Sequence, residues 1–212
     1  METILLPSVV YLPKNHYFCS MTIEEHPLQP FLPANGRILF LGSFPPPKAR
    51  WSIEWFYPNW INDFWRIQGL IHFGDKGHFE MQDKRFDREK IVTFCSQEGL
   101  AFYDTARKVC RLKDNADDNF LEIIEGTDVM ALLAQMPDCH TVVTTGGKAS
   151  EELCSYFVRQ GANVAVPKVG EHIIVSLPSS PLPLTWWRMP STSRAYPMKI
   201  EKKAEFYRRV FE

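Results

Sequence analysis

Four stretches of the 212-residue chain carry residue types that could hold a ligand, three of them short loops suited to close backbone approach and one a longer basic segment. The first is Gly42-Ser43-Phe44-Pro45-Pro46-Pro47, which ends the apolar run "RILFLG". Proline fixes φ and has no N–H, so three in succession continue neither a sheet ladder nor a helix interior. The chain therefore leaves in one fixed direction, as a stiff turn that ends a strand or as the rigid wall of a site. The second is "TTGGKA" (144–149), whose Gly147 and Lys148 could meet a phosphate, although neither G-x-x-x-x-G-K-[ST] nor G-x-G-x-x-G is present. The third, "SLPSSP" (176–181), offers Pro178, Ser179 and Ser180. The fourth runs from Pro183 to Glu212 and holds seven Lys/Arg against three Glu beside Trp186 and Trp187, a local footprint for a polyanion.

Other chemistries lack their spacing. The five cysteines never form C-x-x-C and no histidines pair at metal-ligand spacing, so neither a zinc site nor an iron–sulfur cluster is expected. No G-x-S-x-G elbow supports a serine hydrolase. The net charge of −1 excludes a polycation built for bulk binding to nucleic acid. Dispersed, odd-numbered cysteines point to reduced thiols in a cytoplasmic protein. "METILLPSVVYL" has no basic n-region, and no apolar segment reaches 18 residues, so neither a signal peptide nor a membrane span is expected.

The elements that must position these loops alternate. Buried-strand patterns occupy 37–42, 100–104, 141–145 and 172–177, and helical spacing occupies 62–73, 85–98, 128–136, 146–161 and a last segment starting at Pro197. This pattern predicts a three-layer α/β/α sandwich around a mainly parallel four-stranded sheet. A proline-rich N-terminal extension (1–30) precedes a single α/β domain (31–212). Ligands of open α/β sheets bind at the carboxyl ends of the strands, which is where GSFPPP, the segment after "FYD", "TTGGKA" and "SLPSSP" fall.

Together the segments resemble the uracil-DNA glycosylase superfamily. "LFLGSFPPPKARWSIEWFYPNWINDFW" is similar to the first motif region of its hypoxanthine-DNA glycosylase branch, where G-S-F-P-S precedes a tyrosine-rich stretch and H-P-x-N-x-F-W. "EGLAFYDTARKVCR", "TVVTTGGKA" and "IIVSLPSSP" follow in that branch's order, so the resemblance covers roughly residues 25–211. The resemblance implies a base pocket of Gly42, Ser43, Phe44, Pro45 and Tyr57, with Phe44 stacking on an extruded base. It implies Asn62 as the catalytic group that positions water or the base carbonyl. Taken alone, Asn62 before "DFWRI" reads equally as a helix N-cap.

Implied contacts to DNA are Gly147, Lys148, Pro178, Ser179, Ser180, Trp186, Arg188, Ser191, Ser193 and Arg194. About ten residues, Leu182–Ser191, look inserted before "STSRAYP", which repeats the serine-rich pattern. Ser179 and Ser191 are thus alternative main phosphate contacts, and Trp186 is a candidate wedge or stacking platform. Pro46 replaces the branch's second Ser, and Asn59-Trp60 replaces its His-Pro. The implied activity is monofunctional: removal of a deaminated base, hypoxanthine or uracil, from DNA by water attack, without metal or organic cofactor, by a monomer. A non-catalytic module that binds nucleic-acid lesions on the same scaffold is the alternative. A pocket for a free nucleoside, favoured by the near-neutral charge, is a third reading.

Overall fold

A computed structural model describes residues 22–112, 118–178, 180 and 182–212. In chain order the strands and helices are β1 (Ile23–Glu25), β2 (Ile38–Gly42), α1 (Phe64–Phe73), α2 (Arg88–Glu98), β3 (Leu100–Asp104), β4 (Ala106–Arg111), β5 (Leu121–Gly126), α3 (Val129–Leu133), β6 (Thr141–Thr145), α4 (Gly147–Arg159), β7 (His172–Val175), β8 (Leu184–Met189) and α5 (Ile200–Arg208).

The main sheet has the order β3-β2-β6-β8-β7. β2, whose five residues are all buried, lies parallel to both β3 and β6, and β6 lies parallel to β8. Phe40, Phe102 and Trp187 point to one face, where Phe64 of α1 stands edge-on to Phe40 at 5.4 Å and Arg209, just past α5, lies over Trp187. Trp186 points to the other, with Phe157 of α4 at 5.6 Å. Helices thus cover both faces, as the alternating pattern predicts.

The strand count differs from the expected four. β7, expected to be parallel, is an antiparallel edge strand paired with β8. The eight residues between them, 176–183, can close only a hairpin, because a parallel crossover requires about a dozen residues or more. The stretch read as an insert supplies the missing parallel strand: "LTWWRM" is β8, and its Trp186 is completely buried. A second, antiparallel sheet, β1-β4-β5, was not foreseen. It ties the described end of the N-terminal extension to the body through the register Ile23–Cys110, Glu24–Val109 and Glu25–Lys108.

Local signals act where the sequence places them. Asp87 caps α2 by accepting from Lys90 N–H, and Gly99 ends it at φ 64°. Asp128 caps α3 through Ala131 N–H at 3.1 Å. Among the described residues no helix is long and apolar enough to cross a membrane.

Candidate active site

The four parallel strands β2, β3, β6 and β8 end on the same side of the sheet, and their carboxyl ends open into a cleft of about 730 Å³. Gly42–Pro46, Asp104, Thr145 and Ser191–Pro197 line it, with Tyr57–Asn59, Ile61 and Asn62 on the segment leading into α1.

Gly42 and Asp104 are register partners at the ends of β2 and β3. A Cβ on Gly42 would run into Asp104 Oδ1, so glycine is required for the carboxylate to lie here. The proline turn beyond is braced from outside: Arg111 donates to Pro45 O at 2.5 Å, and Trp51 Nε1 donates to Pro46 O at 2.7 Å. Phe44 touches the cleft, but its ring is packed against Ala106, Val109 and Leu121 beneath the small sheet. It also stands edge-on to His26 at 5.4 Å, so Phe44 is a wall of the cleft rather than an open stacking platform.

Tyr57 adopts φ 50°, an uncommon conformation for a non-glycine residue. Its ring is stacked on Phe64 at 3.8 Å, and its hydroxyl is 2.8 Å from Thr145 Oγ1. Burial holds the phenol far above the ordinary tyrosine range, so it is a neutral hydrogen-bonding group. Asn62 is half-buried. Its Oδ1 accepts from Phe64 N–H at 2.9 Å, which assigns the amide orientation and leaves the two Nδ2 hydrogens as its donors. Capping and a place in the cleft coexist in this residue.

The loop after β8 is clamped to the start of α1. Asp63 N–H donates to Thr192 O at 2.9 Å. The fully buried Lys203 donates to Asp63 Oδ2 at 2.9 Å and to Ser193 O at 2.8 Å. Tyr207 OH reaches Pro190 O at 2.9 Å. Ser191 lies beside Gly146, at the amino end of α4. Exposed Ser193 and Arg194 stand at the mouth, with Arg50 and Arg111 also on the lining.

The cleft therefore gathers Gly42, Ser43, Phe44, Pro45, Tyr57, Asn62, Ser191, Ser193 and Arg194. Gly147, Lys148 and Arg188 lie off its lining. Gly147 adjoins the Arg188 guanidinium, which donates to Pro167 O at 3.1 Å, and Lys148 Nζ is 3.8 Å from Glu152. Three expectations are corrected. Trp186 is enclosed between α4 and the sheet with Nε1 on Thr144 Oγ1 at 3.0 Å, so no duplex reaches it. Pro178 contacts Gly161 beyond the far end of α4, about 20 Å of helix away from Gly147. Ser180 belongs to that same distant turn, where it bonds Leu182 O, and Ser179 lies outside the described residues. The repeat at Ser191–Arg194, not the one after β7, occupies the cleft, because β7 runs antiparallel and delivers its carboxyl end to the opposite edge.

Asp104 of the lining and the His26 beside it went unforeseen. Asp104 closes "LAFYD", and an acid ending an otherwise apolar strand was the available signal. His26, whose Nε2 is 2.9 Å from Asp104 Oδ2, comes from the N-terminal extension, and nothing in its local sequence marks it. Among the described residues no cluster of three His, Cys, Asp or Glu is arranged to hold a metal ion.

No family model and no curated protein matches the chain. Among solved structures, the fold is similar to that in the solution NMR structure of a "putative Uracil DNA glycosylase" from Methanosarcina acetivorans. That likeness covers 90% of this chain and 100% of the other, with a TM-score of 0.60 and 19% identity. At that identity the likeness concerns the fold.

Proposed function

We propose that the protein is a monofunctional DNA glycosylase that removes a deaminated base, hypoxanthine or uracil, by hydrolysis of the N-glycosidic bond. The observation that carries this reading is the meeting of three separated motif segments in one cleft: Gly42–Pro45, Asn62 and Ser191–Arg194. The volume suits an extruded nucleotide, lying within the roughly 300–1,000 Å³ of small-ligand sites. The lining is tiered in the order a flipped nucleotide requires. Exposed Ser193 and Arg194 at the mouth suit phosphates, half-buried Asn62 suits the reacting region, and buried Asp104 forms the floor.

Breaking the bond leaves oxocarbenium character on the sugar and negative charge on the departing base. A fixed donor aimed at that charge stabilises the transition state without reorganisation. Asn62 suits this role because the bond from Phe64 N–H fixes its oxygen toward the start of α1 and leaves both Nδ2 hydrogens able to donate to the base carbonyl. The prolines and the Lys203–Asp63 clamp keep the walls in place before binding, which lowers the ordering cost. Incubation with single-stranded and duplex oligonucleotides carrying hypoxanthine, uracil or xanthine, followed by alkali, tests the proposal. Strand scission at the modified base is expected, and intact strands for every base would refute it. The capping bond of Asn62 favours one second reading, a non-catalytic lesion-binding module, which predicts binding without base release.

A further inference from the structure

Asn62 sits in a segment that does not fix itself. Residues 59–63, "NWIND", contain no proline, so the direction of the Asn62 amide depends on what holds the backbone around it. On one side the loop after β8 holds it, through the bond from Asp63 N–H to Thr192 O. On the other stands Arg66, four residues on in α1. Its Nη1 donates to Trp60 O at 2.7 Å and to Asn62 O at 3.1 Å, so one nitrogen ties down the carbonyls of the residues on either side of Ile61.

Arg66 is itself gripped by the turn between α1 and α2. Its Nε donates to Glu80 Oε1, and its guanidinium carbon lies 4.4 Å from the centre of the Trp60 ring and 5.2 Å from that of Phe86. That turn is closed on itself, with Met81 N–H on Arg85 O and Asp87 N–H on Phe79 O, both at 2.8 Å. The Arg66 side chain is 9% exposed, and neither it nor Glu80 lines the cleft.

A buried ion pair is a poor device for stability alone, since apolar residues of similar volume often serve as well. What a guanidinium adds is shape. Its planar fork holds a carboxylate and two carbonyls at once in fixed directions, which an ammonium on a flexible stem does not reproduce. Here the fork runs from Glu80 to the backbone of the residue proposed as catalytic. We infer that Arg66, anchored by Glu80, is a positioning residue for base removal: it sets the place of Asn62 in the cleft without touching the nucleotide. This rests on the glycosylase reading of the same cleft. A displacement of the reacting groups by about 1 Å is enough to cost about a hundredfold in rate. A turn outside the cleft thus governs the group that acts within it.

The test is a double-substitution cycle of Arg66→Lys and Asn62→Ala. It is read in single-turnover release of hypoxanthine or uracil from duplexes, with duplex affinity and thermal melting measured alongside. Arg66→Lys keeps the charge beside Glu80 and loses the fork. Its release rate is expected to fall about ten- to hundredfold with duplex affinity retained, whereas in the Asn62→Ala background the same substitution should change the rate by less than about threefold. A merely structural role would lower the rate by the same factor in both backgrounds. Glu80→Ala, which removes the anchor from a partly exposed position, runs the same cycle if Arg66→Lys does not fold. A wild-type rate in the folded variant, or equal losses in the two backgrounds, would overturn the inference while leaving the glycosylase reading intact. An Asn62→Ala rate equal to the wild type would also overturn it, since Arg66 would have nothing to act through. If the wild type releases no base, the cycle is read in the affinity for a hypoxanthine or uracil duplex relative to the unmodified one. Coupling of Arg66 to Asn62 there sustains the positioning role while the glycosylase reading fails, and its absence overturns both.

Discussion

Lys203→Met removes the one fully buried cation among the described residues while preserving most of the side chain's volume. Its ammonium makes two contacts, 2.9 Å to Asp63 Oδ2 and 2.8 Å to Ser193 O. Without it, Asp63 retains only the Nε of Arg194 at 3.5 Å, from a side chain that is 52% exposed and screened by water. Breaking one side of a buried pair costs about 3–5 kcal/mol, because the partner stays buried and uncompensated. With a urea m-value of about 1–3 kcal/mol per M, the unfolding midpoint should fall by roughly 1 M or more. Lys203→Met/Asp63→Asn removes both charges and should recover most of that loss. Urea unfolding followed by tryptophan fluorescence measures all three proteins. A loss under about 1 kcal/mol in the single variant, or no recovery in the double, would refute the clamp. Under conditions where Lys203→Met is folded, its base release should still be impaired, since Asp63 joins Asn62 to the Ser191–Arg194 loop.

Trp186→Ala should cost about 3–5 kcal/mol in stability, as a core truncation, and leave the DNA affinity of the folded fraction unchanged; combined denaturation and binding titrations check this. Arg194→Ala should weaken binding to all DNA sequences alike and lower the slope of log affinity against log salt by about 1. Ser180→Ala, at the opposite edge of the sheet, should leave binding unaltered in the same fluorescence-anisotropy titration. Gly42→Ala forces a methyl group against Asp104 Oδ1 and should reduce base release more than about tenfold, with a stability loss of about 1–3 kcal/mol measured in parallel.

The sequence revealed what is written locally. β2, β3 and β6 announce themselves as short apolar runs, Gly99 ends α2 and Asp128 caps α3, whereas Asp87, inside the expected helix, turns out to be the cap of α2. Gly42–Pro45 and Asn62, singled out by the resemblance, both line the cleft. The direction of β7 was not legible, since "HIIV" has the same apolar character in either orientation and only the length of the following connection decides. That ambiguity left Ser179 and Ser191 as alternatives and disguised β8 as an insert, with its core Trp186 read as a candidate wedge or stacking platform. β4 ("ARKVCR") and β5 ("LEIIEG") mix charged and apolar residues without strict alternation, which hides their pairing; in the fold Lys108 lies between Glu25 and Glu125. The contact of His26 with Asp104 spans 78 residues and could not be read from any window of sequence.

The central claim is that this cleft breaks an N-glycosidic bond with help from Asn62. Single-turnover measurement of free base released from hypoxanthine- and uracil-containing duplexes, by wild type and Asn62→Ala side by side, tests it most directly. Release of free hypoxanthine or uracil by the wild type is expected, with a loss of about 10²–10³-fold in Asn62→Ala, the magnitude of a removed transition-state donor, and with duplex binding retained. No free base from the wild type, or equal rates for the two proteins, would contradict it.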